Sequence, residues 1–189
     1  MSRLALVAIA LVILPGCAMF NDNLRAVERG EFYRSAQMSP ERLAYAAKKR
    51  DIKTLISLRG VKDGEAWRTA EIQKCEELGI TRYDVPLSMR KLPPPESLKQ
   101  LVELCKTAEK PILVHCQAGI HRAGTASAIY ELLEGKSVDE AKGQFTFFFF
   151  DAPIGEVVEL YRGSTLPFDE WVEKEYPALY EKHKADRKD

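Results

Sequence analysis

Two residues of complementary chemistry stand six positions apart: Cys116 and Arg122, in the run Pro111-Ile-Leu-Val-His-Cys-Gln-Ala-Gly-Ile-His-Arg-Ala-Gly-Thr125. A thiolate is a strong nucleophile, and a guanidinium is a planar fork that fits two oxygens of a phosphoryl group. Gly119, between them, lets the backbone turn sharply and approach an anion. Residues 112–114 have the length and branching of a buried strand, and an alanine-rich helix is expected after Arg122. A helix that starts directly after a loop aims unpaired N–H groups and the positive end of its dipole into that loop. Gln117, Ala118, Gly119, Ile120, His121 and Arg122 therefore read as a cradle for one phosphate, with Cys116 in line with phosphorus. Attack would form a covalent phosphocysteine that water then clears.

The order strand, His115-Cys116-x5-Arg122, Ala118-Gly119 inside, Gly124 after it and then helix resembles the signature loop of the cysteine-dependent protein tyrosine and dual-specificity phosphatases. That resemblance implies a three-layer α/β sandwich around a central mixed or parallel sheet of four to five strands. It further implies a phosphoric monoester hydrolase without metal or cofactor, with Cys116 as nucleophile, Arg122 on the phosphate and the amides of residues 117–122 completing the cradle. A rhodanese-type sulfurtransferase loop is the alternative, but its arginine usually comes one residue sooner. No lysine occupies Gln117, Ile120 or His121, which suits a singly phosphorylated group better than a polyphosphate. His115 reads as structural, bonding within the loop and helping to hold the thiolate, and His121 as a solvent-facing spacer, with added charge at mildly acid pH as the alternative.

Two positions depart from the family pattern. The residue after the arginine, normally serine or threonine, is Ala123. The general acid, an aspartate, is expected on a loop before the nucleophile strand, and Asp84 stands at a suitable 32 residues before Cys116. Its neighbours, however, read as strand, while the loop at 87–92 holds no carboxylate; Arg90 and Lys91 there offer contacts to substrate anions. A phosphate-binding protein that has lost turnover therefore stays open beside the enzyme, as does a phosphatase of lipids or small esters.

The elements that must hold this loop alternate. Residues 32–35 read as a short strand, Ser39-Pro40 as the start of a helix to Lys49, 52–58 as a strand, and 65–78 as a helix closed by Gly79. A strand at 80–85 and a helix at 94–108 follow, and Ser137-x-x-Glu140 is a capping box opening a further helix. Leu98, Leu101, Val102 and Cys105 form one apolar helix face, and Cys75 is read as core; a Cys75–Cys105 disulfide is left open. The run Phe145-Thr-Phe-Phe-Phe-Phe150 is too aromatic for one stripe. It reads as buried core, with an exposed lip for a lipid or membrane surface as the alternative. Residues 173–189 read as a charged, solvated end.

The N-terminus is of another kind. Arg3, an apolar segment at 4–14 too short to span a bilayer, and Leu14-Pro15-Gly16-Cys17 resemble a bacterial lipoprotein signal, with Cys17 as the lipidated residue. An ordinary cleavable signal or short anchor is the alternative. Ala18 after that cysteine points to the outer membrane, facing the periplasm, by the same resemblance. The expected layout is a signal peptide at 1–16, lipidated cysteine and polar tether at 17–31, one phosphatase-like domain at 32–180 and a tail at 181–189. Without residues 1–16 the charges are 27 basic against 28 acidic, which leaves no basic footprint for nucleic acid. The partners implied are a phosphorylated protein or small phosphate ester, and a bilayer through the anchor.

Overall fold

The computed structural model describes residues 22–61 and 64–186. Its centre is a five-stranded mixed sheet: β1 (Arg25–Glu28), β2 (Phe32–Ser35), β3 (Thr54–Ser57), β4 (Thr81–Asp84) and β5 (Ile112–His115), in the order β1-β2-β5-β3-β4. β2, β5, β3 and β4 are parallel, and β1 is antiparallel on the edge. β5 thus lies in the middle, flanked on both sides by strands running its way. Parallel strands need crossovers; the helices α1 (Pro40–Arg50), α2 (Ala66–Leu78) and α3 (Pro95–Thr107) supply them, and α4 (His121–Leu133) follows β5.

The helix ends form where the residue types dictate. Ser39 Oγ accepts from Arg42 N at the start of α1, with Pro40 behind it. Gly79, at φ 66°, closes α2 in the left-handed conformation. Ser137 and Glu140 form the reciprocal capping box of α5 (Val138–Ala141). The short α6 (Glu156–Tyr161), then α7 (Phe168–Lys174) and α8 (Tyr176–Asp186), complete the chain.

Strand alternation sorts the core into two layers. Phe32, Ile56, Ile112 and Val114 face the cluster built with α3, α4 and α7, whereas Tyr33, Leu55 and Leu113 face α1 and α2. Cys105 belongs to the first layer and Cys75 to the second, so the sheet separates them and both are free thiols. Burial pushes each thiol up to about 12.

Three expectations need correcting. The stretch expected as tether contains β1, whose Ala26 pairs with Tyr33 across the edge, so the folded unit starts before residue 32. The charged end is a helix: Tyr176 of α8 is fully buried and its hydroxyl donates to Pro93 O at 2.6 Å. The phenylalanine run is split rather than buried. Phe149 is buried and stacks on Phe145 at 4.0 Å, while Phe147, Phe148 and Phe150 face solvent. Cys17 lies outside the described residues.

Candidate active site

β5 ends at His115, and the next residue, Cys116, sits where the chain leaves the sheet between two parallel neighbours. Ser35 of β2 and Ser57 of β3 are both in register with His115, and Leu58 N donates to His115 O at 2.9 Å. The carboxyl end of a central parallel strand is the usual place for a ligand in such sheets. Here the chain turns at Gly119 (φ 69°), whose N–H donates to Cys116 Sγ at 3.2 Å. The sulfur is thus addressed by a backbone donor of its own loop, at the floor of the turn, with Cys116 only 3% exposed.

The turn tolerates only glycine at that point. A Cβ on Gly119 would stand 2.5 Å from Ala36 N and 2.6 Å from Ser35 C. The left-handed φ would strain any other residue as well. The loop is also held from outside: Asn23 Nδ2 donates to Ala118 O at 3.1 Å and to Gly119 O at 2.9 Å. With those two carbonyls turned outward, the following N–H groups are left for the inner side. Helix α4 starts at His121, and its first internal bond is Gly124 N to Ile120 O, so the preceding amides have no helical partner.

Arg122 stands in the first turn of α4, with Nη1 donating to Leu58 O at 3.2 Å. That bond fixes the guanidinium over the β3 end, on the side of the loop opposite Asn23. Gly124 lies against Arg34 of β2: a Cβ there would meet Arg34 Nη1 at 3.3 Å and Phe149 at 3.5 Å. Arg34 is 1% exposed, and its Nη1 donates to Gln144 O at 2.7 Å. Burial and then Arg25 lower its affinity for the proton to about 10, against Cys116 and Glu131, which act the other way. A buried cation therefore backs the loop from below.

A strand, a cysteine, a glycine turn and a helix bearing a fixed guanidinium describe an anion cradle. The profile of the family described as DSP-PTPase phosphatase fused to NAD+ kinase matches residues 8–153. The chain belongs to this phosphatase family. Dual specificity protein phosphatase CDC14C of Homo sapiens is 29% identical over 94 residues, half of this chain but 20% of that protein's own length. Among solved structures, the core catalytic domain of the PP-IP phosphatase SIW14 from S. cerevisiae, in complex with citrate, matches with TM-score 0.59 at 21% identity. That match covers 86% of this chain and 93% of the other. TpbA of P. aeruginosa, a cysteine-to-serine variant in complex with pTyr, gives TM-score 0.58 at 18% identity over 80% and 88% of the chains. These likenesses establish the dual-specificity phosphatase fold.

Within this phosphatase fold Asp84 is not where a general acid belongs. It is in register with Ser57, and Ser57 with His115, so its side chain shares their face of the sheet, two strands from the loop. Cys116 packs with the opposite layer. Asp84 Oδ2 lies 2.7 Å from Arg68 Nη2 and 2.8 Å from Arg82 Nη1, and Oδ1 2.9 Å from Arg82 Nη2. Burial works to raise its proton affinity, but Arg82 and Arg68 outweigh it and hold the carboxyl below its usual range. Guanidinium groups thus engage both carboxylate oxygens, and in this geometry Asp84 serves an ion-pair network and does not face the loop.

Glu71 completes that network from α2. Its Oε1 accepts from Arg82 Nε at 2.9 Å, Gln37 Nε2 donates to its Oε2, and His115 Nε2 stands 3.1 Å away. Burial would raise the Glu71 carboxyl, yet His115, Gln37 and Arg82 together hold it below the ordinary value. His115 is thereby fixed on the far side of the sheet from the sulfur: it is structural, but it meets Glu71 of α2 instead of bonding within the loop and holding the thiolate. Burial, then Arg122, hold the His121 imidazole below the ordinary value despite the Phe148 backbone, which disfavours the alternative of added charge there.

Arg59 escaped the reading of the sequence. It directly follows Leu58 beyond β3, stacks its guanidinium 3.7 Å over the Trp67 ring, and donates from Nη1 to Gln37 Oε1 at 3.2 Å. Burial, then the nearby Arg122 guanidinium, lower its proton affinity, while Glu71, Glu65 and Cys116 raise it. After Arg122 and Arg34, a third cation thus shares the field of the sulfur. Its signal was positional: it is the first charged residue past the carboxyl end of the strand beside β5.

Proposed function

We propose that the chain hydrolyses phosphomonoesters through a phosphocysteine, as a protein tyrosine or dual-specificity type phosphatase. The observation that carries this is the Gly119 N–H aimed at Cys116 Sγ inside a loop closed by Arg122. Cys116 Sγ attacks phosphorus, the S–P bond forms and the ester P–O bond breaks, with the electron pair leaving on the ester oxygen. Arg122 and the loop amides from Gln117 onward hold the three equatorial oxygens. Water then attacks phosphorus, the S–P bond breaks, and inorganic phosphate leaves.

The clamped Asp84 bears on the substrate. A leaving group that Asp84 does not protonate departs far more readily as a phenol (pKa about 10) than as an alkyl alcohol. Phosphotyrosine and other aryl esters therefore suit this site best. Hydrolysis of an aryl phosphate and of a phosphoserine peptide by the full chain, beside Cys116→Ser, tests the proposal. Aryl-ester turnover abolished by that substitution is expected; turnover that survives it overturns the assignment.

Ala123 and Asp84 together favour one second reading, a phosphate-binding protein that forms the covalent intermediate but clears it slowly. One equivalent of product, released in a burst without steady turnover, distinguishes it. For the N-terminus, we propose lipidation at Cys17 and a place on the outer membrane of a bacterial envelope, facing the periplasm. This is supported by Leu14-Pro15-Gly16-Cys17-Ala18. Metabolic labelling with a fatty acid, lost in Cys17→Ser, is the expected result.

A further inference from the structure

Beside the phosphate loop the chain displays aromatic surface without cover. Phe147 is 84% exposed, Phe148 58% and Phe150 69%. Their rings touch chiefly one another, edge to face, at 5.6, 5.8 and 6.1 Å between centroids. Single exposed apolar residues are ordinary, but three large ones in one patch mark an interaction surface. The loop that carries them is not loose at its base. Phe149 stacks on Phe145 and stands against His121 at 5.6 Å, and a Cβ on Gly155 would meet Phe149 at 2.7 Å. The turn itself runs through Phe150 (φ 47°) and Asp151 (φ 46°), a left-handed pair that bulky residues seldom adopt. A strained turn on a pinned base, presenting three phenyl rings outward, is a feature built for a partner.

The start of the described chain says which partner. A groove next to the loop is lined by Asp22, Asn23, Gln117, Ile120, Thr146 and Phe148. Asp22 O accepts from Ala36 N at 2.6 Å, and Asn23 is bonded to Ala118 and Gly119, so the N-terminal segment enters the domain at this groove. Cys17 precedes Asp22 by five positions, and five extended residues reach at most about 18 Å. An acyl chain on Cys17 must therefore hold the bilayer within that distance of the groove, on the side of the phenyl rings.

We infer that Phe147, Phe148 and Phe150 insert into the bilayer interface, docking the domain with its phosphate loop toward the membrane. This rests on the lipidation proposed above and not on the phosphatase chemistry. Apolar side chains of a surface-bound element reach the boundary between headgroups and acyl chains, where three clustered phenyl rings lose their contact with water. The anchor sets the distance, and the rings set the orientation.

Two single-tryptophan additions in the full chain, Phe147→Trp and Leu78→Trp, test it in phosphatidylethanolamine/phosphatidylglycerol vesicles with acyl-brominated lipid. Leu78 ends α2, at the opposite edge of the sheet, and is 39% exposed. The added emission from Phe147→Trp should be quenched by bromine, and that from Leu78→Trp should not. Vesicle-bound chain with no quenching of Phe147→Trp overturns the docking while leaving the anchor intact. If that emission is shielded equally without vesicles, the patch is covered by a second copy or by the apolar segment at 4–14, and the inference also falls. Flotation that survives Cys17→Ser but is lost with the three phenylalanines changed to serine removes the anchor alone. Chain that never floats removes both.

Discussion

Asp84 and Arg68 meet at 2.7 Å on the face of the sheet turned away from Cys116, with Arg82 closing the clamp from the other side. Both Asp84 and Arg68 are largely covered, at 14% and 19% side-chain exposure. Asp84→Asn should therefore cost about 1–3 kcal/mol of stability and leave the pH profile of aryl phosphate hydrolysis unchanged. The folded carboxyl is held below its unfolded proton affinity. Its stabilisation is accordingly complete above the ordinary carboxylate range and lost as the pH falls through the lower, folded value. Denaturant melts of both proteins at neutral pH and in strong acid should show the difference shrinking in acid. Loss of an acid limb from the rate profile in Asp84→Asn would reinstate this residue as the proton donor.

Gly119→Ala places a methyl group 2.5 Å from Ala36 N on a backbone at φ 69°. The loop must shift by a fraction of an ångström to an ångström, and misplacement on that scale costs about 10²-fold in rate. Gly119 itself belongs to neither core cluster, so the rest of the fold should keep its cooperative melt. Activity within a few-fold of wild type would show that the turn does not shape the cradle.

Arg59→Ala removes the third cation while sparing the loop. A charge-assisted contact contributes about 1.5–3 kcal/mol, so KM for an aryl phosphate should rise roughly tenfold or more with kcat little changed. Steady-state kinetics on the variant decides this. A fall in kcat at constant KM would place Arg59 in the transition state instead.

Strand, loop and helix around Cys116 were legible because each carries a local signal: β-branched residues before it, glycine within it, alanine after it. The caps at Ser39, Gly79 and Ser137 were legible for the same reason. What stayed hidden depends on partners distant in the chain. β1 is a polar edge strand that exists through its pairing with β2. The face on which Asp84 lies follows from register across β4, β3 and β5, which no local pattern states. Arg59 becomes part of the site only once Trp67 and Gln37 surround it. The exposure of Phe147, Phe148 and Phe150 follows from a left-handed turn that a run of phenylalanines does not announce.

Ala123 is fully buried in the first turn of α4, and the Thr125 hydroxyl is buried without a hydrogen-bond partner among the described residues. Neither supplies the loop with the hydroxyl usual after the arginine. Ala123→Ser should raise steady turnover relative to the initial burst, since clearing the phosphocysteine is the step that lacks help. Rapid-quench amplitudes compared with steady rates check this; an unchanged ratio would show that the intermediate is cleared without need of a hydroxyl.

Turnover through Cys116 requires a covalent bond between its sulfur and phosphorus. Acid quench of the full chain during aryl phosphate turnover, followed by mass spectrometry of the peptide spanning residues 111–122, looks for it directly. A phosphoryl adduct on Cys116, absent from Cys116→Ser together with all product, is the predicted result. Product formed by both proteins, with no adduct on Cys116 in either, would contradict it.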